Sequence, residues 1–343
     1  MAEQVLEKQR PIYSPLKSIR TVWREAENPI RWAYDKLLRE HDKTKKVFDV
    51  DPYAEVYRFR ENIYGILTHS LDGMGDPWIY LIVGPKKALL IDTGFGLGDL
   101  KGLVRELIGD MPYDVVNTHC AYDHSYGNFQ FDRVYCHEYE VFNLEMRMKP
   151  DIWDYLFDEQ GKGIWAEFDR NDLVKFKPYE IIGVADGYLF NLGEDYDIEL
   201  IFLPGHSNGH AAFLDKKSRI LFVGDDACFG RVGIGGGREG NPYKRYATVE
   251  ALYHELVKII ARMDEFDGLF PGHGPVDTGA IMLVNVMEAC KAVLDNPSCY
   301  DNKVEVSRNG VALTQFQKMI YQSGYLQYNT HSLYMDRTVD HDI

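Results

Sequence analysis

The sequence predicts an α/β protein, and three observations carry that expectation. Apolar runs of strand length alternate with segments whose apolar residues recur at helical spacing. Several strand-like runs stop at a glycine turn or an aspartate. Those same turns hold histidines, so chemistry-bearing residues gather at strand ends, where loops from one edge of a sheet converge.

The first 50 residues read as helical. Ser14-Pro15 and Asn28-Pro29 each place proline at a first helical position behind an N-cap, and Ile30, Tyr34, Leu37 and Leu38 share one face. From about Tyr53 the pattern turns to strands. Trp78 to Val83 and Ala88 to Asp92, joined through Gly84-Pro85, read as adjacent buried strands. Leu100, Leu103, Val104 and Leu107 mark a helix, and Tyr113 to Thr118 a short strand. Residues 138–175 are polar, aromatic and mostly helical in pattern, and read as an insertion. Further strands are expected over 198–203, 220–223 and 266–270, with helices over 248–262 and 276–294. The chain thus divides into a helical N-terminal extension (1–52), a principal domain (53–295, insertion at about 138–175) and a C-terminal extension (296–343). In the last, 304–328 partly alternates, is rich in aromatics, and is suited to covering a site or pairing with another chain.

Composition narrows the class of function. Of 343 residues, 45% are hydrophobic and 27% charged, the profile of a soluble globular protein. No run approaches the roughly 18 apolar residues that would cross a bilayer. The first ten residues have no apolar core for secretion, so a cytoplasmic location is expected. A formal charge of −15 repels phosphate backbones, which argues against nucleic acid and anionic membranes as partners and for a small-molecule substrate. The five cysteines include no Cys-x-x-Cys pair, which fits reduced thiols.

Four groups carry the chemistry. They are Asn117-Thr-His119-Cys-Ala-Tyr-Asp123-His124, Leu203-Pro-Gly-His206, Val223-Gly-Asp225 and Phe270-Pro-Gly-His273, each directly after an expected strand. Imidazole nitrogen and carboxylate oxygen are donors suited to zinc, iron or manganese. One histidine after a strand is ordinarily a hydrogen-bonded surface residue. Four such turns together point to a shared metal centre.

This set resembles the metallo-β-lactamase superfamily, which includes class B lactamases, glyoxalase II-like thioesterases, lactonases and sulfur dioxygenases. That signature runs His-x-His-x-Asp-His, a distant His, an Asp in a Gly-Asp turn, and a final His. The match covers roughly residues 60–280, including Leu90-Ile-Asp92-Thr-Gly94 and Pro204-Gly-His206-Ser-Asn-Gly-His210. The resemblance implies an αββα sandwich with metals at one edge. It implies that Asp123, His124 and His273 form one metal site, and that Asp225 bridges to a second holding His119 and His206. Asp123 is also expected to act catalytically by holding the nucleophile in line. His210 is expected to hydrogen-bond behind the ligands, and Asp92 to be structural. The departure is Ala121, where the family's second histidine should stand. Cys120 is a poor replacement, because adjacent residues of an extended segment point to opposite sides.

Two outcomes stay open: the depleted site fills with water completing its coordination, or a single ion binds. One or two divalent ions are expected, zinc first, with iron or manganese also suited. The leading function is metal-dependent hydrolysis of an ester, thioester, lactone or amide. A mononuclear oxygenase or lyase, and a non-catalytic scaffold, are the alternatives. The glycine-rich stretch after Asp225 reads as a loop, and its Arg231 and Arg238 are candidates to clamp a substrate carboxylate or phosphate. By family analogy Trp78 is placed at the site mouth. The aromatics Trp153, Tyr155, Phe157 and Trp165 are candidates to roof it.

Overall fold

The computed structural model describes residues 20–21, 34, 37–236, 240–308 and 311–336. Its centre is a pair of facing sheets. One has eight strands in the spatial order Glu180–Val184, Arg133–His137, Tyr113–Val116, Ala88–Ile91, Trp78–Val83, Ile63–Leu67, Asp51–Arg60, Lys46–Phe48. The other has six, in the order Leu189–Asn191, Asp197–Phe202, Ala211–Asp215, Ile220–Gly224, Gly268–Pro271, Thr278–Gly279.

Period-two alternation sorts the side chains into layers. In Ala88–Ile91, Leu89 and Ile91 face the space between the sheets with Tyr80, Phe213, Phe222 and Phe270. Ala88 and Leu90 face outward, against Leu100, Leu103 and Val104 of the helix Leu100–Ile108. On the far side, Leu214 and Leu221 pack on the helices Val249–Ile260 and Ile281–Asp295 through Leu252, Leu256, Val286 and Val293. The layers run helix, sheet, sheet, helix, as the αββα expectation required. No helix among the described residues is long and apolar enough to cross a membrane.

Four expectations need correction. The N-terminal segment is not helical throughout. Residues 37–41 are helical, but Arg20–Thr21 pairs with Ala166–Glu167, and strands occupy Lys46–Phe48 and Asp51 onward. Cross-strand pairing, such as Lys46 with Val56, overrides the local pattern. The proposed caps at Ser14-Pro15 and Asn28-Pro29 lie outside the described residues.

The insertion holds one α-helix, Val141–Arg147, and otherwise short 3₁₀ turns and a two-residue strand. Pro150, Gly161 and Gly163 interrupt any longer helix. Ile152, Trp153 and Leu156 are buried in the same apolar cluster as Leu90 and Leu103, so this segment is part of the core.

The last long helix starts at Ile281, five residues later than its apolar pattern suggests, because Thr278–Gly279 first pairs antiparallel with Leu269 and Gly268. Finally, the glycine-rich stretch after Asp225 is not simply a loop. Gly230–Gly233 is a strand pairing parallel with Gly324–Tyr328. With Val311–Ile320 and Asn302–Arg308 it makes a four-stranded sheet. The C-terminal segment thereby packs into the principal domain through Phe316, Leu326 and Tyr328.

Candidate metal centre

The strand ends deliver the predicted residues to one place. Two groups of donor atoms, each mutually within 4.8 Å, come together: His119 with His206 and Asp225, and Asp123 with His124 and His273. Asp225 reaches both, with Oδ1 3.4 Å from His124 Nε2, and Oδ2 3.5 Å from His273 Nε2 and 3.8 Å from His206 Nε2. His124 Nε2 and His273 Nε2 are 3.2 Å apart.

Each ring is oriented from behind through its Nδ1. His124 Nδ1 meets Asp92 Oδ2 at 2.8 Å, and His119 Nδ1 meets Thr118 Oγ1 at 3.0 Å. Thr118 in turn donates its N–H and hydroxyl to the two Asp92 oxygens, both at 2.7 Å. His206 Nδ1 donates to Gly233 O at 2.8 Å, and His273 Nδ1 to Asp76 O at 3.1 Å. All four Nε2 atoms are left for the interior. Fixing one ring nitrogen so that the other offers its lone pair is the arrangement that metal-ligating histidines show.

The donors fit a cation. His119 Nε2 and Asp225 Oδ1 are buried with no hydrogen-bond partner, an arrangement that is costly unless an ion satisfies them. Burial lowers the His119 pKa well below the ordinary histidine value, reinforced by His124 and His206, so its ring is a neutral donor. Burial opposes charge on His124 as well, but Asp123, Asp225 and Asp92 outweigh it and raise its pKa to about 10. Burial would raise Asp123 and Asp225; the surrounding imidazoles reverse this and hold both carboxyls below their usual range. The carboxylates set a negative field that favours protons on His124 and His273, protons that a bound cation would displace.

Backbone approach is equally tight. A Cβ on Gly272 would stand 2.3 Å from Asp225 Oδ1, and one on Gly224 2.4 Å from His210 Nε2, so both turns require glycine. His210 lies behind the candidate donors, its Nε2 accepting the Asp225 N–H at 3.1 Å and its Nδ1 near Leu203 O and Asp226.

Ala121 caps the short helix Tyr122–Ser125 and brings no donor. Cys120 belongs to neither donor group; it packs with Cys136 and Leu144. Among the substrate candidates, Trp78 is corrected. It is 1% exposed, packed edge-on against Tyr57 and Phe59, and its indole N–H donates to Gly274 O at 2.9 Å. It braces the His273 loop from the core and has no face for a substrate. Arg231 is exposed on Gly230–Gly233, its positive charge acting on His206. Arg238 lies outside the described residues. Of the proposed roof, Trp153 is core and Tyr155 is 37% exposed, its ring 5.3 Å from that of Tyr122.

The sequence reading missed Glu140. Fully buried, it accepts from Cys120 N and Ser207 Oγ on Oε1, both at 2.8 Å, and from Gly209 N at 2.9 Å and Asn143 Nδ2 at 3.2 Å on Oε2. It ties the loop of His119 to the loop of His206. The one signal in sequence is a carboxylate shortly after the strand Arg133–His137, too common to single out.

A profile of the metallo-beta-lactamase superfamily matches residues 72–273. The chain is 30% identical over 211 residues to the acyl-coenzyme A thioesterase MBLAC2 of Homo sapiens, covering 57% of this chain and 72% of that protein. It is 36% identical over 106 residues to a hydroxyacylglutathione hydrolase of Francisella tularensis subsp. tularensis, covering 31% of this chain and 37% of that one. In fold it resembles the DIM-1 metallo-beta-lactamase, with a TM-score of 0.51 and 18% identity over 71% of this chain and 99% of that chain. With more than half its length matched by the profile, the chain belongs to the metallo-beta-lactamase superfamily.

Proposed function

We propose that the chain hydrolyses acyl thioesters of small organic molecules with one or two divalent metal ions, zinc first among them. The protein is a hydrolase of the metallo-β-lactamase fold. The observation that carries the metal reading is the set of four imidazoles, each held at Nδ1 with Nε2 turned inward beside Asp123 and Asp225. The thioester reading is supported by the relatives, one a thioesterase of acyl-coenzyme A and the other a hydrolase of a glutathione conjugate by name.

Asp123, His124 and His273 would hold one ion, and His119 and His206 a second, with Asp225 shared. A bound ion supplies Lewis acidity, lowering the pKa of water from about 15.7 to about 7 and polarising a carbonyl oxygen. Around it this chain's residues do the positioning. Asp123, kept ionised by His124 and His273, accepts a hydrogen bond from the attacking water and aims it. Asp92 and Asp76 fix the rings of His124 and His273. Arg231, at the rim beside His206, is suited to a carboxylate or phosphate of the substrate. A thiolate, whose conjugate acid has a pKa of about 8.5, leaves without a strong general acid. That suits a centre built from imidazoles and carboxylates.

The test is a panel of acyl-coenzyme A, acylglutathione, ester, lactone and β-lactam substrates, with metal-free protein and protein reloaded with zinc, manganese or iron. Thioester turnover lost on chelation and restored by zinc is expected. Absence of thioester hydrolysis with all three metals would overturn the reading.

A further inference from the structure

One of the supports of His273 begins outside the segment the family profile covers. His273 Nδ1 donates to the backbone oxygen of Asp76. The Asp76 side chain is pinned at both oxygens, Oδ1 by Ser70 N at 2.9 Å and Oδ2 by Arg39 Nη2 at 3.1 Å. Arg39, in the helical turn 37–41, also directs Nε to Glu55 Oε2 at 2.8 Å. The Glu55 side chain is 0% exposed and that of Arg39 12%. A second tether comes from the same segment: Val276 N–H, three residues beyond His273, donates to the Tyr34 hydroxyl at 3.0 Å. The His273 loop is therefore gripped on both sides, by Tyr34 and by Arg39.

We infer that Arg39 is a positioning residue for the metal centre, holding Asp76 so that its carbonyl fixes the His273 ring. The inference rests on His273 being a ligand, as proposed above. Its physical basis is that one guanidinium fork serves two carboxylates, the buried Glu55 and the partly exposed Asp76. Without it, Asp76 and Glu55 lose their common cation, and the first group free to shift is the Asp76 turn. That turn carries the one acceptor that sets the ring's orientation, and such outer partners tune metal affinity. Were Arg39 only a stabiliser of Glu55, its loss would lower the melting temperature and leave the His273 ring as it is.

The test compares full-length parent, Arg39→Gln, Arg39→Lys and Tyr34→Phe, read two ways. In metal-free protein, the ring ¹⁵N shifts of His273 report its Nδ1 hydrogen bond. In cobalt-loaded protein, the visible spectrum and the rate of release to a chelator report the ion. Arg39→Gln is expected to move the His273 shifts, alter the cobalt spectrum and speed release from the Asp123, His124 and His273 group about tenfold. Arg39→Lys should lie between it and the parent, and Tyr34→Phe should act in the same direction more weakly. A folded Arg39→Gln protein with parental shifts, spectrum and release overturns the inference. Should Arg39→Gln not fold, parental values in both Arg39→Lys and Tyr34→Phe overturn it equally. A parent that takes up no cobalt removes the metal reading alone, since the ring shifts still decide whether Arg39 positions His273.

Discussion

Asp225 Oδ1 lies 3.4 Å from His124 Nε2, while the other carboxylate oxygen faces His206 and His273. One side chain thus stands between the two donor groups. Replacement by Asn keeps the shape and removes the charge. With two ions bound, Asp225→Asn should release the one beside Ala121 and lower turnover by orders of magnitude. With one ion on Asp123, His124 and His273, the metal should stay and the loss should be milder. Metal counting on the purified variant separates the cases. Unchanged metal content together with parental turnover would show that Asp225 is no ligand.

His124→Ala and His273→Ala each leave their group with two donors. Metal content should fall and activity with it. The check is elemental analysis after dialysis, and a full complement in either variant would refute the grouping.

Ala121→His restores the donor that the family pattern has at this position. The His119, His206 and Asp225 group should then bind zinc at least about tenfold more tightly, or raise the number of ions per chain. Titration with zinc reads this directly. Identical affinity and stoichiometry would mean that position 121 does not face that group.

Glu140→Gln replaces an oxygen that accepts two hydrogen bonds with an amide NH2 facing two donors. The loops of His119 and His206 should loosen, with a loss of about 10- to 100-fold in metal affinity or activity. The Asp123, His124 and His273 group should keep its ion. Equal loss from both groups, or from neither, would show that Glu140 is not a specific tie.

Asp51 gives a pH signature of stability. Burial, aided by Asp99, raises its carboxyl pKa to about 7 from the ordinary 3.8. In that window the folded chain holds a proton the unfolded chain has lost, so the stabilisation is full at low pH and fades as pH rises toward 7. Asp51→Asn should therefore gain melting temperature relative to the parent more at pH 8 than at pH 5. A difference independent of pH would contradict this.

The legible part of the molecule is the part written locally. Trp78–Val83 and Ala88–Ile91 show as apolar runs because both faces are covered. The donors show because each follows such a run. What was hidden depends on partners distant in sequence. Glu140 acts through Cys120, Ser207 and Gly209. Gly230–Gly233 has poor intrinsic strand propensity and is a strand because Gly324–Tyr328 lies beside it. Trp78 misled because an aromatic beside a site loop can brace the loop from the core as readily as meet a ligand.

The pairing of Gly233 with Gln327 bears on the order of events during synthesis. Gly233 supplies the carbonyl that orients His206, and its strand is completed by residues near the far end of the chain. A ribosome adding about 5–20 residues per second delivers that partner strand seconds after His206 has emerged. Until then the imidazole has no fixed acceptor behind it. The His206 ring is therefore set for any ion it would hold only once Gly324–Tyr328 has paired with Gly230–Gly233.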